Sequence, residues 1–477
     1  MGVDGVGASP VDPADAVGAA APVGGGVGGV RVVPPAVSAT VRRQRQGWYW
    51  YAWASHTFPT TVTTVFMSRY LTSVAETAAG GAGGRVHVLG IPIAPGSLFV
   101  YLVSFSTALL VVLMPVTGAL ADRTGRKREL LLGFSYAGAV ACVLMWFVRG
   151  GNWQLGALLY FVAFLAYSCA IVVYHSMLCD LAGPEERDGI SSYGWAFSYL
   201  GGGILLAVNF GFTFVISDRA VVARLSLMSA GVWWALFALV PLVALRGPLG
   251  GVVRPVARPE ESVMRAGFRQ LRRTFGRLRA FPLTLFFLVA FLVYNDGIQT
   301  VTTVAAQYGD KELHLGESTL LSAILLVQFV AFGGALLLGR LAGRFGAKRV
   351  VLGSLVGWML VVLLAYGMRV GDPVEFFAVA MLIAVVLGGS QALSRSLFSH
   401  LVPAGEEAEY FGLYEVSNSG TSWLGPLLFG LAFQNTGSYR SALASLVVFF
   451  VVGFVLLAFV PIRRAIAAAG NTAPVRV

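Results

Sequence analysis

From residue 48 onward the chain alternates long apolar runs with short clusters of charge, Gly and Pro. The runs fall at approximately 48–70, 97–120, 129–148, 153–179, 190–216, 221–246, 282–306, 318–339, 348–369, 374–399, 411–434 and 440–462. Each is near the length of about 20 residues that crosses about 30 Å of hydrocarbon. In lipid a helix closes its own backbone hydrogen bonds, whereas an isolated strand leaves them open. The pattern therefore predicts an all-α membrane protein of twelve transmembrane helices.

One interruption differs from the other connections. Residues 246–280 carry nine arginines together with Pro248, Pro255 and Pro259. This divides the chain into a disordered tail (1–47), a six-helix bundle (48–246), an Arg-rich linker (247–281), a second six-helix bundle (282–462) and a short tail (463–477). Within the linker, Val263, Phe268, Leu271, Phe275 and Leu278 recur at roughly helical spacing among arginines. Two readings stay open there, an amphipathic helix on the membrane surface and a solvated basic loop.

Composition agrees with lipid as the main solvent: 57% of residues are hydrophobic and 12% charged, outside the usual soluble range. The net charge of +11 raises the question of nucleic acid, and the placement of the charge answers it. Of the 34 Lys and Arg, only Arg69, Arg85, Arg149, Arg219, Arg224, Lys311, Arg369 and Arg440 fall on the side opposite the N-terminus. This is the positive-inside pattern, which predicts a multi-pass protein of the cell membrane with both termini cytoplasmic. The basic charge then reads as orientation and attraction to anionic lipid, with no nucleic-acid partner. Asp4, Asp12 and Asp15 stand where a signal peptide needs positive charge. Cys142, Cys169 and Cys179 lie in or at the ends of spans without metal-ligand spacing. Phosphate-binding loops, nucleophile motifs and paired metal ligands are missing from the sequence. The expectation is a protein that is neither an enzyme nor an ATP-driven pump, without a cofactor, and monomeric.

The two bundles repeat each other. After the second span the chain reads Gly118-Ala-Leu-Ala-Asp122-Arg-Thr-Gly125-Arg-Lys-Arg128, and after the eighth Gly339-Arg-Leu-Ala-Gly343-Arg-Phe-Gly346-Ala-Lys-Arg349. At the ends of the fourth and tenth spans, Ser176-Met-Leu-Cys-Asp-Leu181 matches Ser396-Leu-Phe-Ser-His-Leu401. Each unit holds an even number of spans, so the copies share one orientation about an axis along the membrane normal.

The stretch Gly118 to Arg128 resembles the signature loop between helices two and three of the major facilitator superfamily. Further stretches resemble its vacuole-effluxer-like branch: Ser191-Ser-Tyr-Gly-Trp195, Tyr199-Leu-Gly-Gly-Gly203, Tyr294-Asn-Asp-Gly297, Gln391-Ala-Leu-Ser-Arg-Ser396, Phe411-Gly-Leu-Tyr414 and Leu424-Gly-Pro-Leu427. The resemblance spans about residues 48–462 and implies a secondary transporter, with amino acids among the solutes of that branch. Helix one departs from the pattern. It has Tyr51-Ala52-Trp53-Ala54 where a Tyr-Asp-Trp-Ala motif is expected, so no acid comes from that position.

Ionisable groups inside a span cost about 2.5–3.5 kcal/mol each on insertion scales, so each requires a reason. Asp296 sits mid-span, and Gln299, Thr303 and Gln307 follow it at helical spacing to suggest one polar stripe. Taken as the only carboxylate deep within a span, Asp296 is the expected proton-linked group. Arg395, with Gln391 one turn before it, is the expected anchor for an anionic group. His175, with Ser168 two turns before it, maps onto Arg395 through the repeat, and His56 on helix one completes the candidate binding set. The resemblance implies a gating role for Gly118, Asp122, Arg123, Gly125 and Arg126. In that role Asp122 caps a neighbouring helix and pairs with Arg126, and its counterpart Gly343 has lost the carboxylate. The acidic clusters Glu185, Glu186, Asp188 (with Arg187) and Glu406, Glu407, Glu409 read as solvated loop ends. The expected function is alternating-access transport of a small polar solute, an amino acid or related metabolite, with protons as candidate coupling ion and export as direction. The competing readings are a multidrug or lipid exporter and a non-transporting sensor or scaffold.

Overall fold

The computed structural model describes residues 38–81, 83–249, 281–419 and 424–477. Most of the expected N-terminal tail and of the Arg-rich linker, including both readings of its second part, lies outside the described residues.

The first span is α1 (Ala39–Ser55), a π-wound stretch (Phe58–Phe66) and α2 (Met67–Ala78). An antiparallel hairpin of β1 (Val86–Val88) and β2 (Ile91–Ile93) follows. Next come α3 (Pro95–Thr124), α4 (Lys127–Leu144), α5 (Trp153–Leu181), α6 (Arg187–Val215), α7 (Arg219–Phe237) and α8 (Leu239–Ala244). The second half holds α9 (Pro282–Lys311), α10 (Glu317–Phe345), α11 (Ala347–Gly367), α12 (Pro373–His400), α13 (Glu407–Ser419), α14 (Leu424–Thr436), α15 (Tyr439–Ser445), α16 (Val447–Phe459) and α17 (Ile462–Ala468). Among the described residues, ten helical segments are long and apolar enough to cross a membrane. The other two expected spans fall on helices in pieces, the first on α1, the π stretch and α2, the eleventh on α13 and α14.

The break in the first span has a local cause. Pro59 supplies no N–H to the helical ladder, and the turn loosens around it. Thr57 and Thr64 fill the gap by donating their hydroxyls to the carbonyls of Ala54 (3.0 Å) and Pro59 (2.8 Å). π-wound turns of this kind recur at functional sites, and His56 sits at the head of this one.

Two expected boundaries need correction. Helix one starts at Ala39, so residues 39–47 are not tail. Gln44 Nε2 donates to the carbonyls of Arg246 (3.2 Å) and Pro248 (3.0 Å), and Arg45 bonds the Leu181 carbonyl (2.8 Å) and the Glu186 carboxylate. The C-terminal segment is also docked: α17 buries Ile462, Ala465 and Ile466, and Asn471 Nδ2 donates to the carbonyls of His400 (2.9 Å) and Val402 (2.7 Å).

The sequence repeat becomes a repeat of packing across the halves. A Cβ on Gly118 of α3 would lie 2.1 Å from the Ala408 carbonyl oxygen of α13. A Cβ on Gly339 of α10 would lie 2.4 Å from Ser192 Oγ of α6. Both contacts are closer than any side chain permits, so glycine at each position lets a helix of one half meet a helix of the other.

Candidate functional site

The face that carries the chain's first helix turn is held shut by bonds between the halves. Asp122 Oδ1 and Oδ2 accept the backbone N–H groups of Ala408 (3.0 Å) and Glu409 (2.9 Å), the open donors at the start of α13. A carboxylate there is favoured by both the hydrogen bonds and the helix dipole. Its cationic partner is Lys127, not Arg126. Lys127 Nζ lies 2.9 Å from Asp180 Oδ2, 3.7 Å from Asp122 Oδ1 and 3.8 Å from Glu407 Oε2. Arg126 is the residue before α4, exposed, while Lys127 opens the helix and is buried. Gly125 ends α3 at φ +64°, a conformation that favours glycine, and Arg123 is half-buried.

The acidic clusters expected to be solvated are part of this closure. Asp188 Oδ1 accepts from Ser396 Oγ (2.6 Å), and Arg187 Nη1 donates to the Ser399 carbonyl (2.7 Å). Glu407 and Glu409 are buried. Glu186, half-exposed and bonded by Arg45, is held below the usual carboxylate range by that guanidinium. Asp188, Glu407 and Glu409 are thus not solvated loop ends, because the segments that carry them meet the other half, while Glu186 pairs within its own half.

At the degenerate second loop the C-terminal tail covers the backbone. Arg476 Nη1 donates to the carbonyls of Arg344 (2.9 Å) and Gly343 (3.3 Å), and the Val475 N–H donates to Glu185 Oε1 (2.8 Å). The segment thus ties the second half to the first where the repeat lacks a carboxylate. Deleting residues 471–477 is expected to raise the exposure of this face several-fold. Cys179 is a built-in reporter, because its thiol lies 3.6 Å from the Ser399 carbonyl at the junction of the halves. Its alkylation rate, with Cys142 and Cys169 replaced by Ala, measures the effect. An unchanged rate means that the tail is ornamental.

Deeper in, a cavity of about 110 Å³ lies between the halves. Ser55, His56, Ser168 and His175 line it from the first half, Arg395 and Glu415 from the second. His175 Nδ1 lies 2.6 Å from Glu415 Oε1, and Glu415 Oε2 accepts from Asn418 Nδ2 (3.0 Å). Asn418 Oδ1 accepts in turn from Asn295 Nδ2 (2.9 Å) and Gln299 Nε2 (3.4 Å), and Asn295 Oδ1 accepts from Gln391 Nε2 (2.8 Å). One polar chain therefore joins α5, α13, α9 and α12.

Arg395 sits beside this chain, fully buried. Its guanidinium carbon lies 5.0 Å from the Trp48 ring centre, 5.5 Å from Trp195 and 5.6 Å from Tyr174, and Nε and Nη2 donate to Ser191 Oγ (2.9 Å) and the Ser191 carbonyl (2.8 Å). Cation–π contacts of this kind are worth about 2 kcal/mol or more when desolvated. Among the described residues, no carboxylate lies within 4 Å of it.

The expected stripe on α9 separates. Asn295 and Gln299, one turn apart, face the polar chain. Asp296 is turned away from the cavity, buried with Oδ2 beside Gly425, and its two oxygens have no hydrogen-bond partner among the described residues. Thr303 and Gln307 are exposed nearer the far end of α9, where Gln307 reaches Tyr439. Nor is Asp296 the only deep carboxylate. Glu415 was available in the sequence inside the eleventh run, beside Tyr414, and the cost of an intramembrane charge was the signal for it.

At the opposite face a cavity of about 590 Å³ opens among the π stretch, α2, α6 and α7 of the first half and α10 of the second, lined by Phe66, Arg69, Phe210, Arg219, Glu317 and Leu325. Arg69 and Glu317, both exposed, pair across its rim.

Comparison with known proteins gives the family and the fold. The family described as "Vacuole effluxer Atg22 like" matches residues 40–470. A protein of Bacillus subtilis (strain 168), described as the uncharacterized MFS-type transporter YxiO, is 31% identical over 426 residues, 88% of this chain and 95% of its own length. Autophagy-related protein 22-1 of Phaeosphaeria nodorum (strain SN15) is 24% identical over 522 residues, 90% of this chain and 91% of its own. Among solved structures, the major facilitator proton:xylose symporter XylE bound to 6-bromo-6-deoxy-D-glucose has a TM-score of 0.65 at 13% identity, covering 89% of this chain and 97% of that one. A bacterial homologue of the iron transporter ferroportin in an outward-facing state has a TM-score of 0.62 at 14% identity, covering 88% and 99%. At such identities the structural likeness speaks for the fold alone.

Proposed function

From the premise that the chain belongs to the Atg22-like vacuole effluxer family, within the major facilitator superfamily, we propose that it moves a small carboxylate-bearing solute, an amino acid or close relative, by alternating access. The observation that carries this reading is Arg395: a buried guanidinium at the wall of the central cavity, held by aromatic rings and Ser191 rather than by a carboxylate. A solute carboxylate matches its bidentate fork. The Glu415 carboxylate and the Asn418 amide, both on the cavity wall, offer acceptors to an ammonium group on the same solute.

With both termini in the cytoplasm, as the positive-inside charge pattern supports, the closed face is cytoplasmic and the 590 Å³ opening faces outward. The cycle then breaks the Asp122 and Arg187 contacts on one side while the opening on the other narrows around the Arg69–Glu317 pair already in place. The proposed location is the cell membrane, supported by the positive-inside charge pattern, and the proposed direction is export from the cytoplasm, whereas the family description speaks of efflux from a vacuole. Counterflow in proteoliposomes tests the reading. Preloaded unlabelled amino acid is expected to drive accumulation of the labelled amino acid, but not of a sugar or a hydrophobic cation. Counterflow confined to hydrophobic cations or lipids, or no counterflow with any solute, overturns it.

A further inference from the structure

We infer that His175 and Glu415 form a proton-binding site at the junction of the halves, and that its loading opens the face closed in this structure. The inference rests on the transporter reading above. It departs from the expectation that placed the proton on Asp296.

The geometry limits which protons the pair holds. Glu415 Oε2 already accepts from Asn418 Nδ2, and Oε1 meets His175 Nδ1 at 2.6 Å. That contact needs one proton between the two atoms. A neutral imidazole with Nδ1–H facing a carboxylate satisfies every position. In that form the pair bears one negative charge, which balances the adjacent Arg395 guanidinium. A second proton changes the balance. Placed on Nε2 it makes an imidazolium–carboxylate pair, and placed on the carboxyl it leaves a neutral imidazole facing a neutral acid; in both cases the pair is neutral and the Arg395 charge beside it is unbalanced. A net positive charge buried in a low-dielectric pocket is costly, and parting the halves relieves it by admitting water.

The bond also lies in the right place to sense the cycle. His175 is on α5 of the first half and Glu415 on α13 of the second, the same helix whose first N–H groups Asp122 holds. Separating α13 from the first half breaks both bonds together. Both side chains line the central cavity, so a proton reaches the pair from the open side, and the water admitted as the halves part solvates the added charge and holds the proton more firmly than the closed form does. The closed form thus binds fewer protons than the open form. By linkage, lowering the pH favours opening.

The other titratable groups facing the pair do not supply this response. Tyr167, Tyr174 and Tyr414 stay neutral through the range in question, and Arg395 stays charged. His56 is also on the cavity wall, stacked edge-on against Tyr199 and Trp195. It has no carboxylate partner among the described residues, and its substitution is the internal control for imidazole titration.

The experiment needs no solute. Spin labels at Glu129 and Arg349, exposed residues on the closed face of the two halves, report separation in protein with its three cysteines replaced. Lowering the pH from about 8 to about 5, the range in which histidine titrates, is expected to shift the full-length protein toward the long distance. The shift should vanish in Glu415→Gln, move its midpoint in His175→Gln, and persist in Asp296→Asn and His56→Gln. Titration of Glu415→Gln like the parent overturns the inference, as does loss of the shift in Asp296→Asn or His56→Gln alone. If Glu415→Gln does not fold, an unmoved midpoint in His175→Gln overturns it equally. Absence of any shift in the parent sinks the proton site but leaves solute counterflow standing. Absent counterflow with the shift intact sinks the transport reading alone.

Discussion

Replacing Lys127 by Met is expected to open the closed face and to shift the balance of states by about a hundredfold or more. The Lys127 ammonium is shared by Asp122, Asp180 and Glu407, and all four side chains are buried. Removing the cation leaves three carboxylates gathered in a small volume. Breaking a buried ion pair from one side costs about 3–5 kcal/mol, and a hundredfold change needs about 2.8 kcal/mol. The cost falls on one state, because Asp122 and Asp180 belong to the first half and Glu407 to the second. Separation moves Glu407 away and admits water. The Cys179 alkylation rate should rise accordingly, while Arg126→Met, one residue earlier and exposed, should leave it unchanged. Equal rates in Lys127→Met and the parent protein would show that the charge cluster does not latch the face.

That one-residue distinction marks what a sequence pattern can and cannot carry. The all-α membrane fold and the close approach at Gly118 are legible, because apolar run length and a glycine in a repeated loop are properties of the linear chain. Helical phase at a boundary is not. Arg126 and Lys127 carry the same charge, and only the start of α4 at Lys127 turns one inward and leaves the other in water. The same holds on α9, where Asn295 and not Asp296 joins the polar chain. A step of one residue rotates a side chain by about 100°, and composition does not fix which residue of such a pair faces the partner.

Contacts between the halves are less legible still. His175 and Glu415 are 240 residues apart, and nothing in either neighbourhood names the other. What the sequence offered was the cost of each intramembrane charge, which marks both as needing a partner without saying which. The tail contacts of Asn471, Val475 and Arg476 were hidden for a related reason. Short polar C-terminal segments look alike whether they dangle or dock, and this one docks on carbonyls of His400, Val402, Gly343 and Arg344 and on the Glu185 carboxylate.

Arg395→Gln is expected to raise the half-saturating concentration for carboxylate-bearing solutes by about tenfold to a hundredfold. Hydrogen bonds to charged groups are worth about 1.5–3 kcal/mol, which corresponds to that range. Amine analogues that lack the carboxylate should be carried by parent and variant with similar half-saturation, since they never used the guanidinium. Because Arg395 also bonds Ser191 across the halves, its loss has a second consequence, and Ser191→Ala separates the two. That variant keeps the guanidinium and its aromatic cage but removes the Oγ acceptor. It should speed Cys179 alkylation modestly without changing half-saturation. Arg395→Lys keeps the charge and loses the fork, so it should fall between parent and Gln for carboxylate solutes. If Arg395→Gln instead speeds Cys179 alkylation while half-saturation for carboxylates stays at the parent value, Arg395 is a gate residue alone and the solute's anionic group is held elsewhere in the cavity.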